Sequence, residues 1–442
     1  MRRISLIAAS IVALLAIGIL SVFGQDAERS QLIQYVENKI STPSYQIRLN
    51  GLEGTLSSSV SLDSITIADA DGIWLSIEKP KLIWTRSELL RGRLVVDQLQ
   101  AEKIRFVRKP LEDTSLPAPE SSRFSVPELP VSVVLKNLEL PLVELGQSVI
   151  DLAAKISVKG KLVLDDGSMD LDLKVARLDG EGGELNALTK YDQDNDFLDL
   201  DIQLTEPGNG ILSSSLGLEG RPPLKLSLKG NAPLADLKVR LAFDVAGQRI
   251  LTGDLQLDDT GNGKRADLNL NGPISELLSP ASKGLMGERT DLSAQMYFPA
   301  EGGFVLEHSS LNGGTLGATA NAATTKDGFL SVLNIDLEVT DKTGAMVNLP
   351  LADAQSSIRS AGINATYDAE KNKDWIGNLR VKHFSNSKIS VEDIMLNVTG
   401  EIENFLDREN RFLNFNASGW MDAITAQDAS LSKAIGSSIR LT

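Results

Sequence analysis

Residues 169–175 read MDLDLKV: Met169, Leu171, Leu173 and Val175 occupy every second position, with Asp170, Asp172 and Lys174 between them. Successive side chains on a β-strand point to opposite faces, so this run makes a ribbon with one greasy side and one wet side. The same period of two returns in Leu198, Leu200, Ile202 and Leu204, in Leu226 and Leu228, in Leu237, Val239, Leu241 and Phe243, and in Leu333, Ile335, Leu337 and Val339. Glycine-bearing turns separate the runs, among them Asp165-Asp166-Gly167, Asn312-Gly313-Gly314 and Lys326-Asp327-Gly328. The fold class this predicts is mainly β, an extended antiparallel sheet with a few short helices.

Helical spacing occurs in four places. Leu32, Ile33, Val36 and Ile40 share one helical face ahead of Pro43, and short helices are predicted at 207–216, 274–286 and 424–435. Residues 111–130 are rich in Pro and Ser and read as a linker. The expected divisions are a membrane anchor at 1–25, a juxtamembrane helix at 26–42, a first β unit at 43–110, the linker, and an extended β region at 131–442. Within that last region Asn271-Gly272-Pro273, a helix and Gly287-Glu288-Arg289-Thr290-Asp291-Leu292 parallel Ser418-Gly419-Trp420, a helix and Gly436-Ser437-Ser438-Ile439-Arg440-Leu441. The first copy runs on into strands and the second stops at Thr442, which reads as a C-terminal truncation.

Composition excludes several kinds of chemistry. There are 44 Lys and Arg against 59 Asp and Glu, a formal net charge of −15, so a general nucleic-acid binder is not expected. With no cysteine and only His308 and His383, thiolate metal sites and histidine relays have almost nothing to be built from. Asp192, Asp194 and Asp196 have the spacing that opens a calcium loop, but Phe197 and Gln203 stand where that loop needs glycine and glutamate. Ser76 and Lys79 mimic a serine acyltransferase pair, yet they lie in a strand-like run where positions three apart face opposite ways. No enzyme activity, metal or cofactor is expected.

The N-terminus is different. Residues 4–23 carry neither charge nor proline, and Ile4, Leu6, Ile7, Ile11, Val12, Leu14, Leu15, Ile17, Ile19, Leu20, Val22 and Phe23 make the run apolar. A helix of that length spans about 30 Å, the thickness of a bilayer's hydrocarbon core. Arg2 and Arg3 before it place the tip in the cytoplasm and the bulk across the membrane, in the periplasm of a Gram-negative cell. A cleaved signal peptide, with Val22 and Gly24 at the processing site, is the alternative; the run exceeds the usual h-region, which favours a retained single-pass inner-membrane anchor.

Periodicity leaves open how the greasy face is covered: a second sheet, a closed barrel or solenoid, or a trough holding hydrocarbon would each serve. Residues 35–110 resemble the N-terminal unit of the TamB family of AsmA-like bridge proteins. The match is carried by Leu49-Asn50-Gly51-Leu52-Glu53-Gly54-Thr55-Leu56, by residues 60–75, by Leu82-Ile83-Trp84 and by Ser87-Glu88-Leu89-Leu90-Arg91-Gly92-Arg93-Leu94. Glu206-Pro207-Gly208 and residues 222–237 resemble the family as well, whereas its characteristic C-terminal domain does not occur in these 442 residues. The resemblance implies a curled sheet, the β-taco, with an apolar interior that guides phospholipid acyl chains from the inner membrane towards an outer-membrane Omp85-type barrel, TamA. It also implies a part in assembling outer-membrane proteins and autotransporters. The alternative class is an exported structural or adhesive β-solenoid with a sealed core and no cargo.

Between Glu78 and Lys109 nine basic residues face four acidic ones, against the trend of the chain. Lys79, Lys81, Arg86, Arg91 and Arg93 form a candidate patch for anionic headgroups beside the anchor. N-terminal analysis of protein isolated from membranes is expected to find residues 1–25 retained; a mature chain starting after Gly24 would contradict the anchor.

Overall fold

The computed structural model describes residues 34, 37, 38, 40–42, 44–54, 58–111, 131–278, 280–350, 356–369, 371, 374–403 and 412–441. The apolar run 4–23 and the linker from 112 to 130 lie outside them. Gln34, Glu37, Asn38 and Ile40 are helical, within the predicted juxtamembrane helix. Among the described residues no helix is long and apolar enough to cross a membrane. The chain divides into two compact units, one of residues 1–118, 123–231 and 245–247 and one of residues 119–122, 232–244 and 248–442.

The first unit begins with strands β1 (Gln46–Asn50), β2 (Ser59–Ser61), β3 (Ser64–Asp69), β4 (Gly72–Glu78), β5 (Lys81–Thr85), β6 (Arg93–Gln100) and β7 (Lys103–Phe106). β1, β3, β4 and β7 pair in that order, and β2, β5 and β6 form a second group. The two groups share one core, in which Ile47, Val60, Ile65, Ile67, Leu82 and Trp84 are at most 3% exposed.

β8 (Ser132–Leu145) then joins both groups, running parallel to β6 through Ser132–Glu139 and parallel to β7 through Val143–Leu145. A parallel neighbour needs a crossover of about a dozen or more residues, and 25 residues separate β7 from β8. The sheet is therefore mixed where alternation predicted it antiparallel. The predicted boundary at residue 130 also falls inside a compact unit that continues to Asn231.

From β8 onward hairpins lay down β9 (Ala154–Asp165), β10 (Ser168–Arg177), β11 (Glu184–Asp192) and β12 (Phe197–Glu206), each antiparallel to the last. In an antiparallel ribbon alternate connections fall on opposite rims. The tight turns 166–167 and 193–196 mark one rim, while α1 (Gln147–Ile150) and α2 (Ile211–Ser215) lie on the other. The Glu206 carboxylate, 5% exposed, accepts from the backbone N–H of Leu212 and Ser213 and satisfies the first turn of α2. A Cβ on Gly210 would fall 1.9 Å from that carboxyl carbon, so glycine is required there. The predicted helix at 207–216 starts at Ile211 because the chain is capped from Glu206 and not opened by Pro207.

β13 (Leu224–Pro233) lies mostly in the first unit and β14 (Asp236–Val245) mostly in the second. The second unit continues with β15 (Gln248–Asp259), β16 (Gly263–Gly272), β17 (Thr290–Pro299), β18 (Phe304–Asn312), β19 (Leu316–Thr324), β20 (Leu330–Thr340), β21 (Val347–Asn348), β22 (Ser357–Ile358), β23 (Ser360–Asp368), β24 (Asp374–Ser385), β25 (Ile389–Glu403), β26 (Phe412–Asp422), β27 (Thr425–Ala426) and β28 (Ser438–Leu441). From β15 to β20 neighbours in sequence pair antiparallel, and the ladder continues with β20 on β23, β23 on β24, β24 on β25 and β25 on β26.

The predicted helix 274–286 is two pieces, a 3-10 turn at Ile274–Leu277 and α3 (Pro280–Met286), because a proline tolerates only the first helical turn. The predicted 424–435 helix shortens to α4 (Ala429–Ile435), since Thr425–Ala426 pair with β25 instead. The sequence repeat is a structural one. Gly287 and Gly436 end the two helices at φ +67° and +73°, and β17 and β28 then pair with the strands that preceded those helices.

Three ion pairs on two carboxylates tie β7 and the residues after it into the first unit. Arg108 donates to Asp69, whose side chain is 3% exposed, and Lys103 and Arg105 each reach Glu144 at 3.0 Å. These hydrogen bonds hold both carboxyls below their ordinary range. A depressed carboxylate stabilises the fold above its unfolded value near 4 and loses that contribution as pH falls. Asp69→Asn is expected to lower stability by about 2 kcal/mol at pH 7 and to flatten the loss of stability below about pH 4.5, read from urea midpoints. An unchanged midpoint and pH profile would contradict the pairing.

Candidate functional site

The strand registers turn separate alternating strands into continuous apolar rows. In the second unit one row runs Leu255, Leu268, Ala294, Ser309, Ala320, Ile335, Ala365, Gly377, Val398, Ala417, one residue from each of ten strands. The row on one side passes through Leu270, Leu292, Leu311, Leu337, Ile363, Leu379 and Leu396, and the row on the other through Met296, Leu306, Leu333, Tyr367, Trp375 and Phe415. At about 4.8 Å per strand the face extends about 43 Å in the hydrogen-bonding direction. Six of the ten residues in its middle row are Ala, Ser or Gly, against three of ten in each flanking row (Gly253, Ala318 and Gly419 in one, Ala266, Ala322 and Gly400 in the other), which makes a shallow furrow across the strands.

The opposite face of the same strands is wet. Asp254, Asn269, Ser293, Ser310, Thr319, Asp336, Asn364, Asn378, Asn397 and Ser418 form its corresponding row. The first unit repeats the arrangement over β8–β12, with Leu135, Leu162, Leu171, Thr189 and Leu200 in one row and Leu138, Gly160, Leu173, Ala187 and Ile202 in the next.

Exposure separates these faces from a core. The closed core around β1–β7 drives Ile65 to 2% and Ile67 to 0%, whereas every residue of the furrow's middle row is only half-buried. Among the predicted groove residues Leu171, Leu173, Val175, Leu198, Leu200, Ile202, Leu204, Leu226, Leu228, Val239, Leu241, Leu333, Ile335 and Leu337 are half-buried. Three others are packed away: Leu237 is 1%, Phe243 7% and Val339 7% exposed. All three lie near strand ends. Val339 packs with Val347, Ile358, Leu285 and Phe384 under the rim that carries α3 and the β20–β23 connection, so it is core and not lining.

Two features were not legible in the chain. The small-residue furrow appears only once register aligns Ala320 with Ile335 and Ala365 with Gly377, because no single strand displays it. Trp375 lies over Gly400, where a Cβ would come within 2.4 Å of the indole nitrogen, and that buried N–H has no hydrogen-bond partner. It sets a polar handle into an otherwise apolar row.

The anchor residues lie outside the described residues. The five residues of the basic patch fall at two ends of β5, with Lys79 and Lys81 at one and Arg86, Arg91 and Arg93 at the other, separated by about 13 Å of strand. Lys79 pairs with Glu102 at 3.0 Å, and Arg91 and Arg93 share Glu88. Asp69 and Glu144, which lie outside the 78–109 window, take Arg108, Lys103 and Arg105, so nine bases meet six acids and not four. The structure gives two partly neutralised clusters in place of one patch.

The Asp192–Asp196 run is spent on its turn. Asp192 accepts from Asp194 and Asn195, and Tyr191 donates to Asp196 at 2.8 Å. Burial, then that bond and the charge of Asp196, push the Tyr191 hydroxyl up to about 12. Among the described residues no group of three His, Asp or Glu side chains is placed to hold a metal ion.

Comparison with family models, with curated proteins and with solved structures finds no match. The apolar sheet face of each unit is the candidate site, read from geometry. Ile67→Ala is expected to cost about 3 kcal/mol, while Ile335→Ala costs under about 1, because an open face leaves no sealed cavity behind. Equal losses in urea denaturation would mean that the face is a packed core.

Proposed function

We propose that the chain is a membrane-tethered periplasmic bridge protein that guides phospholipid acyl chains along its apolar sheet faces from the inner towards the outer membrane. The observation that carries this reading is the row kept in register across ten strands, in which Leu255, Leu268, Ile335 and Val398 stay half-buried while the molecule packs Ile47, Ile65, Ile67 and Leu82 to 0–2% elsewhere. An acyl chain in water costs about 0.8 kcal/mol per methylene, and an apolar furrow removes that cost without needing specific contacts. A furrow floored by Ala, Ser and Gly suits a sliding hydrocarbon, since it offers no deep pocket to hold one.

The resemblance of residues 35–110 to the TamB family agrees with this reading. It adds the expectation of an outer-membrane barrel partner of the Omp85 type and a part in outer-membrane protein assembly. A sealed adhesive solenoid would have to bury the face that here remains half-exposed, which favours the conduit.

A photo-crosslinking residue at Leu200, Leu241 or Leu337 in living cells is expected to capture labelled phospholipid, while one at Asn269 on the wet face captures none. Protein adducts alone at all three apolar positions would contradict the proposal.

A further inference from the structure

On the wet side of β20, β23 and β24 a cavity of about 460 Å³ opens over Gly362. Register places Glu338 on one side of this glycine and Arg380 on the other. A Cβ at Gly362 would meet nothing within 4 Å, so the floor between the two charges is empty space. Neither the Glu338 nor the Arg380 side chain has a hydrogen bond or ion pair to another described residue. The neighbouring cation, Lys382, is already held by Asp393, and Asp336 on the acidic side stands 3.4 Å from the Asn364 amide. The cavity thus has one uncommitted guanidinium on its basic bank and an uncommitted carboxylate on its acidic bank.

We propose that this cavity is a binding site for a small zwitterion, an aminoalkyl phosphate that lays its phosphate on Arg380 and its ammonium on Glu338. Two strand spacings of about 4.8 Å put the facing backbone positions about 9.6 Å apart. The two charged side chains stand on the same face over these positions and bracket the space above Gly362, a size that suits a short zwitterion such as ethanolamine phosphate held by a charge-assisted hydrogen bond at each end. The planar guanidinium accommodates a phosphate through two parallel bonds, which a lysine at the same place would not. Asn364 and Asn378 supply amide groups at the end of the cavity beside Asp336. A direct Arg380–Glu338 pair would close the space; the glycine between them keeps it open.

The site lies on the face opposite the apolar rows and does not depend on lipid being carried there. Ethanolamine phosphate occurs free and as a lipid headgroup, so the test has two arms. The full chain in detergent is titrated by calorimetry with O-phosphoethanolamine, with orthophosphate and ethanolamine as separate controls. It is also sedimented with vesicles of phosphatidylcholine with and without phosphatidylethanolamine.

Saturable binding of O-phosphoethanolamine is expected, at least about tenfold tighter than either control. Arg380→Gln, Glu338→Gln and Gly362→Val are each expected to weaken it about tenfold while leaving the circular-dichroism melting profile unchanged. Loss in these variants of phosphatidylethanolamine-dependent sedimentation would assign the headgroup as the source; loss confined to the soluble arm would assign the free compound. No binding in either arm, orthophosphate binding as tightly as the zwitterion, or three variants that bind like the parent chain would overturn the site.

Discussion

The constraint on which the rest of this structure depends is phase. A period of two puts all of a strand's aliphatics on one face only if neighbouring strands pair without slipping by one residue, since a slip of one sends every side chain to the other side. From β15 to β26 the registers hold that phase across nine interfaces, even where bulges interrupt β18 and β20. Leu255 and Ala417 therefore lie in one row although 162 positions separate them. The wet face is held in phase by the same pairing, and its Asn, Ser and Thr residues can hydrogen-bond to water, which the aliphatics cannot do.

What the chain does with this greasy face distinguishes its parts. Around β1–β7 two groups of strands close on each other and on β8, and the side chains between them are excluded from solvent. At the rim carrying α3, the loop with Val347 and Ile358 folds over Leu316 and Val339 and seals them. Between the rims the middle rows receive no such cover from their own unit. Burial thus varies along the strands: Leu237, Phe243 and Val339 near strand ends are packed, while the middle row is half-open. A conduit needs both, because sealed ends hold the sheet together and an uncovered middle leaves room for hydrocarbon.

Much of this was legible in the chain, and the parts that were not share a cause. The runs at 169–175, 198–204, 237–243 and 333–339 are strands as alternation predicts, and Gly167 and Gly328 stand in the turns predicted for them, both with positive φ. Alternation is local, and it says nothing about which strand lies beside which. The parallel docking of β8 on β6 and β7 was hidden for that reason, as were the pairing of Asp69 with Arg108 39 positions away and the alignment of small residues into a furrow. Helix boundaries moved where one residue decided them, Glu206 capping α2 from outside the predicted span and Pro280 splitting the predicted helix before α3. Leu237, Phe243 and Val339 fit the alternation as well as Leu241 does; only their place near the strand ends explains why they are packed.

The most direct measurement of whether the apolar face is vacant for hydrocarbon is native mass spectrometry of the full chain released from detergent after incubation with phospholipid. The account predicts adducts of one or more intact phospholipids, reduced when bulky side chains are placed in the furrow by Ala320→Trp and Ala365→Trp. A bare protein mass in every sample, or adducts unaffected by those two substitutions, would contradict it.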